Sequence, residues 1–338
     1  SLAIVEGSVY DDPTFRIRLR DAVQSLRVAE PFDLSSMVGP VIGTPNPALQ
    51  RALTTLDAGE SWLVEPACLD ADHHLWGPAV RMGVQPGSWF HWTECFGPVL
   101  GVIRADDLDH AIEIQNASDF GLTGGIHSLD PSEIATWLDR VEIGNAYINR
   151  MITGAIVQRQ PFGGWKQSSV GGGPKAGGPG YVQQFARIAI GASRVDSASS
   201  YANAWANQFA VEHDPSGLTS ESNVLRYFPV DRVMVRHDGT DLAAIDLLRL
   251  AATTTGVVLD ESSTVDESDH EFVARIGGVD RIRLLTDLGD DARRICHRAN
   301  VAIDESAPVS DGFVELYRWV REQSISRTMH RHGRVITR

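Results

Sequence analysis

The sequence predicts an α/β protein with mostly parallel sheet, and three observations predict it. Residues 95–149 read strand, helix, strand, helix, strand, an alternation that builds parallel sheets. A second alternating stretch runs from "YFPVDRVMVRH" to "NVAIDES". Between them, "GGWKQSSVGGGPKAGGPG" is so dense in glycine that it must be mostly loop. The expected organisation is therefore two α/β regions, residues 1–190 and 191–338, the second a smaller Rossmann-like unit.

The elements follow in chain order. "LAIVEG" at residues 2–7 reads as a strand. Residues 12–28 place Phe15, Leu19, Ala22, Val23 and Leu26 on one face, after Asp12-Pro13 as a start signal, which predicts an amphipathic helix. "SSMVGPVIG" and "SWLVEPACL" are short apolar runs among Gly, Pro and Ser. Leu108, Ala111 and Ile112 give the next helix its face; Asp130-Pro131 starts another, lined by Ile134, Leu138 and Val141. In the second region "YFPVDRVMVRH", "GVVLDES", "DRIRLLTD" and "NVAIDES" are strands, with "LAAIDLLRLAAT" and "DDARRICHRA" as helices between them. "LDESSTVDESDHE" reads as an acidic, solvated loop, and "ISRTMHRHGRVITR" as a basic tail packing against an acidic partner.

Composition excludes several functions. A hydrophobic content of 43% in 338 residues is ample for a buried core. A net charge of -14 argues against binding nucleic acid or anionic membrane, both of which reward Lys/Arg clusters. No apolar run approaches the ~20 residues of a membrane helix. The three cysteines, Cys68, Cys95 and Cys296, are too few and too scattered for a disulfide framework or a zinc site, and a reducing, cytoplasmic setting is expected. The chain opens inside a strand without an initiator Met, the first Met being Met37, so a piece of a longer protein is expected.

Familiar catalytic motifs are missing. There is no G-x-S-x-G elbow, and "DHEFVARI" lacks the second His of H-E-x-x-H. In "GGGPKAGGP" the Lys is neither preceded by Gly nor followed by Ser/Thr, so it is no P-loop. His73-His74 and His330/His332 have no carboxylate or Cys partner, and no metal is expected.

Two stretches do carry chemistry. Glu94-Cys95-Phe96-Gly97-Pro98 sets a carboxylate and an aromatic ring just before an apolar strand. Such a pair can accept ribose hydroxyls and pack on a flat cofactor; read alone, it is a strand entry with a solvated Glu and a core Phe. "NRMITGAIVQRQPFGGWKQS", residues 149–168, holds a bare Thr153-Gly154-Ala155 corner in a run with no acid. Small residues let backbone N–H groups approach an anion, although a plain turn needs the same residues. Phe162 is either an apolar wall or a core contact.

Taken in order, "TECFGPVL", "NASDFGLTGGIHSLD", "GNAYINR", "NRMITGAIVQRQPFGGWKQS" and "KAGGPGY" resemble the C-terminal part of the aldehyde dehydrogenase superfamily. Within it, the chain is similar to the L-glutamate γ-semialdehyde (1-pyrroline-5-carboxylate) dehydrogenase module of proline utilisation A. The resemblance is dense over residues 1–190, and "SYANAWANQFAVEHDPSGLTSESNVLRY" and "LYRWVREQSISRTMHRHGRV" resemble that family's long-form C-terminal extension.

The resemblance implies a partial catalytic domain with anchor loop and oligomerisation region in residues 1–190 and the extension in 191–338. It implies NAD as cofactor, with FAD only if a proline dehydrogenase domain precedes. Glu94 would bond the nicotinamide ribose and Phe96 lie against that end of the cofactor. Backbone N–H groups at Gly154 and Ala155 would hold the substrate carboxylate, and Phe162 would pack on its methylenes. In this family a cysteine thiolate attacks the aldehyde, hydride passes to NAD+, and water releases the acid. That cysteine is expected just upstream of Ser1, so no catalytic residue is expected in this chain. Cys68 and Cys95 have no basic neighbour or helix N-terminus to activate them, and they read, like Cys296, as inert filler. A homo-oligomer is expected of the full-length protein. Two alternatives stand beside this: a dehydrogenase for another small aldehyde such as succinate semialdehyde, or, for the chain by itself, a non-catalytic lid or assembly module.

Overall fold

A computed structural model describes the chain except Ala71, His73, Gly154, Val157, Gln158, residues 187–195, His332, Gly333 and residues 336–338. It divides into two compact units, Ser1–Ser118 and Asp119–Arg338. The boundary expected at residues 190/191 lies outside the described residues, and the compact units part earlier, ahead of the glycine-rich loop.

The first unit is built on a four-stranded sheet ordered Leu2–Glu6, Val99–Ala105, Ala79–Met82, Ser61–Val64. Its first three strands are parallel and the last is antiparallel. Leu49, Leu53, Trp76, Phe90, Val99 and Ile103 form the main core on this sheet. The amphipathic helix forms over Pro13–Gln24, capped by the Asp12 side chain, which accepts from Thr14 N at 2.8 Å. It stops short of residue 28 because the Ser25 hydroxyl turns back to Ala22 O and Val28 is drawn into a bridge with Val38. A further helix, Pro47–Thr54, capped by Asn46, has no counterpart in the apolar runs first read from the sequence.

The second unit holds two four-stranded sheets. One is all parallel, ordered Val258–Ser263, Arg232–His237, Arg281–Leu284, Ala302–Asp304, which is the Rossmann-like pattern expected. The other is mixed, ordered Thr123–Ile126, Asn145–Ile148, Val320–Thr328, Glu221–Pro229. The stretch "YFPVDRVMVRH" therefore serves two sheets, split where Pro229 ends one strand and Arg232 begins the next.

Two sequence readings need correction. The start of the supposed basic tail, Ile325–Thr328, is part of a strand inside the mixed sheet, parallel to Asn145–Ile148 and antiparallel to Glu221–Pro229. Its Ser324, Ile325 and Ser326 are buried, so sheet pairing rather than charge fixes it. The supposed solvated acidic loop forms the strand Val258–Ser263 and the helix Asp269–Ala274, and it enfolds a buried guanidinium. Arg236 donates to Ser262 Oγ at 2.7 Å, Glu267 O at 2.8 Å and Asp269 Oδ1 at 2.9 Å. Its acids compensate an internal charge.

Candidate active site

In the first unit, Glu94 and Phe96 lie on the link between the short helix Trp89–Trp92 and the strand Val99–Ala105. Glu94 is exposed and Cys95 between them is buried. Phe96 is 71% exposed and holds φ at 56°, a left-handed conformation that costs a non-glycine residue about 1–2 kcal/mol. An aromatic ring held at that cost in solvent is not a core Phe, so the bland reading of this pair fails for the ring. The next residue fixes the bend: a Cβ on Gly97 would lie 2.3 Å from Leu49 Cδ1, so only glycine lets the chain pass over the core here. A carboxylate and a ring exposed side by side fit the ribose end of a nicotinamide dinucleotide.

In the second unit the acid-free run leaves the carboxyl end of the parallel strand Asn145–Ile148, where α/β sheets commonly place ligands. Asn149 makes the exit with φ of 54° and exchanges bonds with Ser128, Asn149 Nδ2 donating to Ser128 O at 2.8 Å. Arg150 donates to Ser326 Oγ at 2.5 Å and lies 3.7 Å from Glu221. At the far end Gln160 is buried, with its Nε2 on Asn223 Oδ1 at 3.3 Å. Phe162 is half-buried and exchanges backbone bonds of 3.0 Å in both directions with Ala176. Between these fixed ends, Met151, Thr153, Ala155 and Ile156 are exposed. Gly154 lies outside the described residues. The described residues of this run are thus exposed between two pinned ends, with Phe162 at the second of them.

Sequence reading missed the base. Gly163 O accepts from Lys175 Nζ and from Asn145 Nδ2, the latter at 3.1 Å, and Lys175 Nζ also donates to Asn145 Oδ1 at 3.0 Å. Lys175 is buried at 1% exposure, and burial, opposed by the field of Glu322, pushes its ammonium down to about 7. A Cβ on Gly144 would sit 2.0 Å from Gly163 O, so the backbone just ahead of the strand passes Gly163 this closely only as glycine. The one sequence signal was a Lys inside a glycine run, where an exposed side chain is the ordinary expectation.

Neither buried cysteine is poised as a nucleophile. Burial pushes the Cys95 and Cys296 thiols up, which suppresses the reactive thiolate. Cys68 is exposed, so it is not the filler expected. His91 is buried, its Nδ1 accepting from Gly87 N at 2.9 Å and its Nε2 3.1 Å from Ile114 O; burial lowers its pKa, and the ring is a strut. Among the described residues no group of three or more His, Cys, Asp and Glu could hold a metal, and no helix is long and apolar enough to cross a membrane. His73 and His332 lie outside the described residues.

The chain is similar to known proteins. A family model described as "Aldehyde dehydrogenase family" matches residues 1–190. The chain is 35% identical over 185 residues to a 1-pyrroline-5-carboxylate dehydrogenase of Geobacillus sp. (strain WCH70), covering 54% of the chain and 35% of that protein. It is 32% identical over 185 residues to the 1-pyrroline-5-carboxylate dehydrogenase of Bacillus subtilis (strain 168), with the same coverage. Among solved structures, Proline Utilization A from Corynebacterium freiburgense matches 99% of this chain and 36% of its own, at TM-score 0.84 and 42% identity. The chain spans about a third of the length of these relatives. With more than half of its residues matched by that family model, the chain belongs to the aldehyde dehydrogenase family.

Proposed function

We propose that the chain is the C-terminal part of an NAD+-dependent L-glutamate γ-semialdehyde dehydrogenase, which oxidises the semialdehyde formed from 1-pyrroline-5-carboxylate to L-glutamate in proline catabolism. The observation that carries this reading is the acid-free run after Asn149, exposed at Thr153, Ala155 and Ile156 between fixed ends, with Phe162 half-buried in its bridge to Ala176. Backbone amides at Gly154 and Ala155 take the substrate carboxylate, and the Phe162 ring covers its methylenes. Glu94 accepts the ribose hydroxyls and Phe96 packs on the nicotinamide end. Bound NAD+ supplies the hydride acceptor. Residues 1–190 complete the catalytic domain and residues 191–338 form the extension.

The thiolate is proposed to come from residues upstream of Ser1, because burial disfavours the Cys95 and Cys296 thiolates. That same fact favours a second reading of residues 1–338 by themselves, as a non-catalytic lid or assembly module. The protein encoded by the whole gene, assayed for NAD+ reduction, should prefer glutamate semialdehyde over succinate semialdehyde. The opposite preference ends the substrate assignment. Purified residues 1–338 should give no turnover above background.

A further inference from the structure

The glycine-rich loop carries one side chain that the proposed function does not use. Lys175 is buried at 1% exposure, and each of its polar groups is engaged. Its N–H donates to Glu322 Oε2 at 2.5 Å, its carbonyl accepts from Gly178 N at 2.9 Å, and its Nζ reaches Gly163 O and Asn145 Oδ1. The residue after it, Ala176, is the one that pairs with Phe162. Lys175 therefore spans the same bridge twice, by its backbone neighbour and by its ammonium.

The other end of this tie is the C-terminal strand Val320–Thr328. Glu322 is 4% exposed; its carboxylate takes the Lys175 N–H and its carbonyl accepts from Trp165 Nε1 at 2.8 Å. Ser324 on the same strand donates to Pro161 O, just before Phe162. The strand thus grips the chain at residues 161, 165 and 175, around the Phe162–Gly163 step.

A buried ammonium opposes folding unless it is compensated. A methionine would fill the same space without that penalty, but it would take one donor from Gly163 O, leaving Asn145 Nδ2 at 3.1 Å, and one from Asn145 Oδ1, leaving Gly163 N at 3.5 Å. What the lysine adds over an apolar filler is a fixed position for the Gly163 carbonyl, and so for the ring one residue before it.

The geometry points to Lys175, held by Glu322 of the C-terminal strand, as a positioning residue that sets the Phe162 wall and thereby the fit of the aldehyde's apolar stem. This makes the C-terminal extension a determinant of substrate affinity, and it rests on the assignment of Phe162 to the substrate site.

The test uses the full-length protein containing this chain, with Lys175→Met and Glu322→Gln. A misplaced wall weakens substrate binding while leaving the reacting groups intact. Lys175→Met should therefore raise KM for the aldehyde by about tenfold or more with kcat within about threefold, and Glu322→Gln should move KM the same way by about threefold. KM for NAD+ should stay within about twofold. A merely structural role would lower the active fraction, and with it apparent kcat, at unchanged KM.

A KM within about twofold of wild type in Lys175→Met, or in Glu322→Gln should the first variant not fold, overturns the proposal. If the wild type oxidises some other aldehyde and not glutamate semialdehyde, the substrate assignment fails, and the same KM comparison with that aldehyde still decides the role of Lys175.

Discussion

Two places in this chain sit at the carboxyl ends of parallel strands, and they use charge in opposite ways. After Ile148 the chain enters a run with Arg150, Arg159 and Lys166 and no acid at all. Beyond His237 and Ser263, in the all-parallel sheet, it enters acidic segments. Asp241 caps the helix Leu242–Thr255, and Asp290 and Asp291 open the helix Asp290–Arg298. Asp269 and Glu267 are engaged by Arg236 and Arg275. A dinucleotide pyrophosphate needs bare amides at such helix starts. The Rossmann-like sheet puts carboxylates there instead, and gives its charges to internal pairing. Parallel strand ends are thus the proposed ligand edge in one region and scaffold in the other, which is why function has to be argued from the site rather than the fold.

The contrast breaks most severely where scaffold charge is deepest. Arg283 and Glu315 form a buried pair, both side chains at most 1% exposed; Glu315 also accepts from Trp319 Nε1 at 3.1 Å and Val309 N at 3.1 Å. Glu315→Leu leaves the buried Arg283 guanidinium with Asp304, at 3.5 Å, as its remaining acid and takes a partner from Arg318, and it should lower the unfolding free energy of the full-length protein by about 3–5 kcal/mol in guanidinium titration. Adding Arg283→Met should recover most of it. Recovery failing would mean that the pair holds geometry that apolar groups cannot.

The next effect tests the other region. Ala155→Asp makes the corner resemble the acidic strand ends and, since Ala155 is exposed, should spare stability. Like charge against a substrate carboxylate should raise KM by about 10- to 100-fold, read in steady-state kinetics of the full-length protein. An unchanged KM would place the carboxylate elsewhere. Gly144→Ala comes third: its Cβ meets Gly163 O at 2.0 Å, both groups being backbone. A loss of about 1–3 kcal/mol in thermal unfolding is expected.

How far these differences could be read from sequence depended on their range. Periodicity found the helices Pro13–Gln24, Leu108–Asn116 and Pro131–Arg140 and the strands between them, because each carries one apolar face, buried at Ile112 and Ile114 and at Ile134 and Trp137 and half-buried at Leu19 and Val23. The strand Val320–Thr328 escaped it. Buried on both sides, with Glu322, Gln323, Ser324 and Ser326 inside, it has neither an apolar run nor an alternation to announce it. Some of its polar groups pair with residues more than 140 positions away, such as Trp165 and Ile143, and no local pattern encodes that. Glu94, Phe96 and Phe162 were legible as residue types in a familiar order. The left-handed turn that exposes Phe96 and the lysine beneath Phe162 were not, since both follow from tertiary contact.

The smallest effect belongs to the scaffold's surface, and it shows how little pairing contributes where water competes. Arg249 Nε and Nη2 donate to the two oxygens of Glu261 at 2.7 Å each, a bidentate pair with the arginine 52% exposed. The hydrogen bond to Arg249 holds the Glu261 carboxyl below its ordinary value of 4.5. A carboxyl depressed in the folded state contributes stability above its unfolded pKa, and that contribution is lost as pH falls through the folded value. Solvent screening keeps it small, so Glu261→Gln should cost less than about 1 kcal/mol at neutral pH. The variant and wild-type unfolding curves should converge in acid, below the depressed pKa. A gap that persists there would mean that the arginine works through its stem packed on the sheet, rather than through its charge.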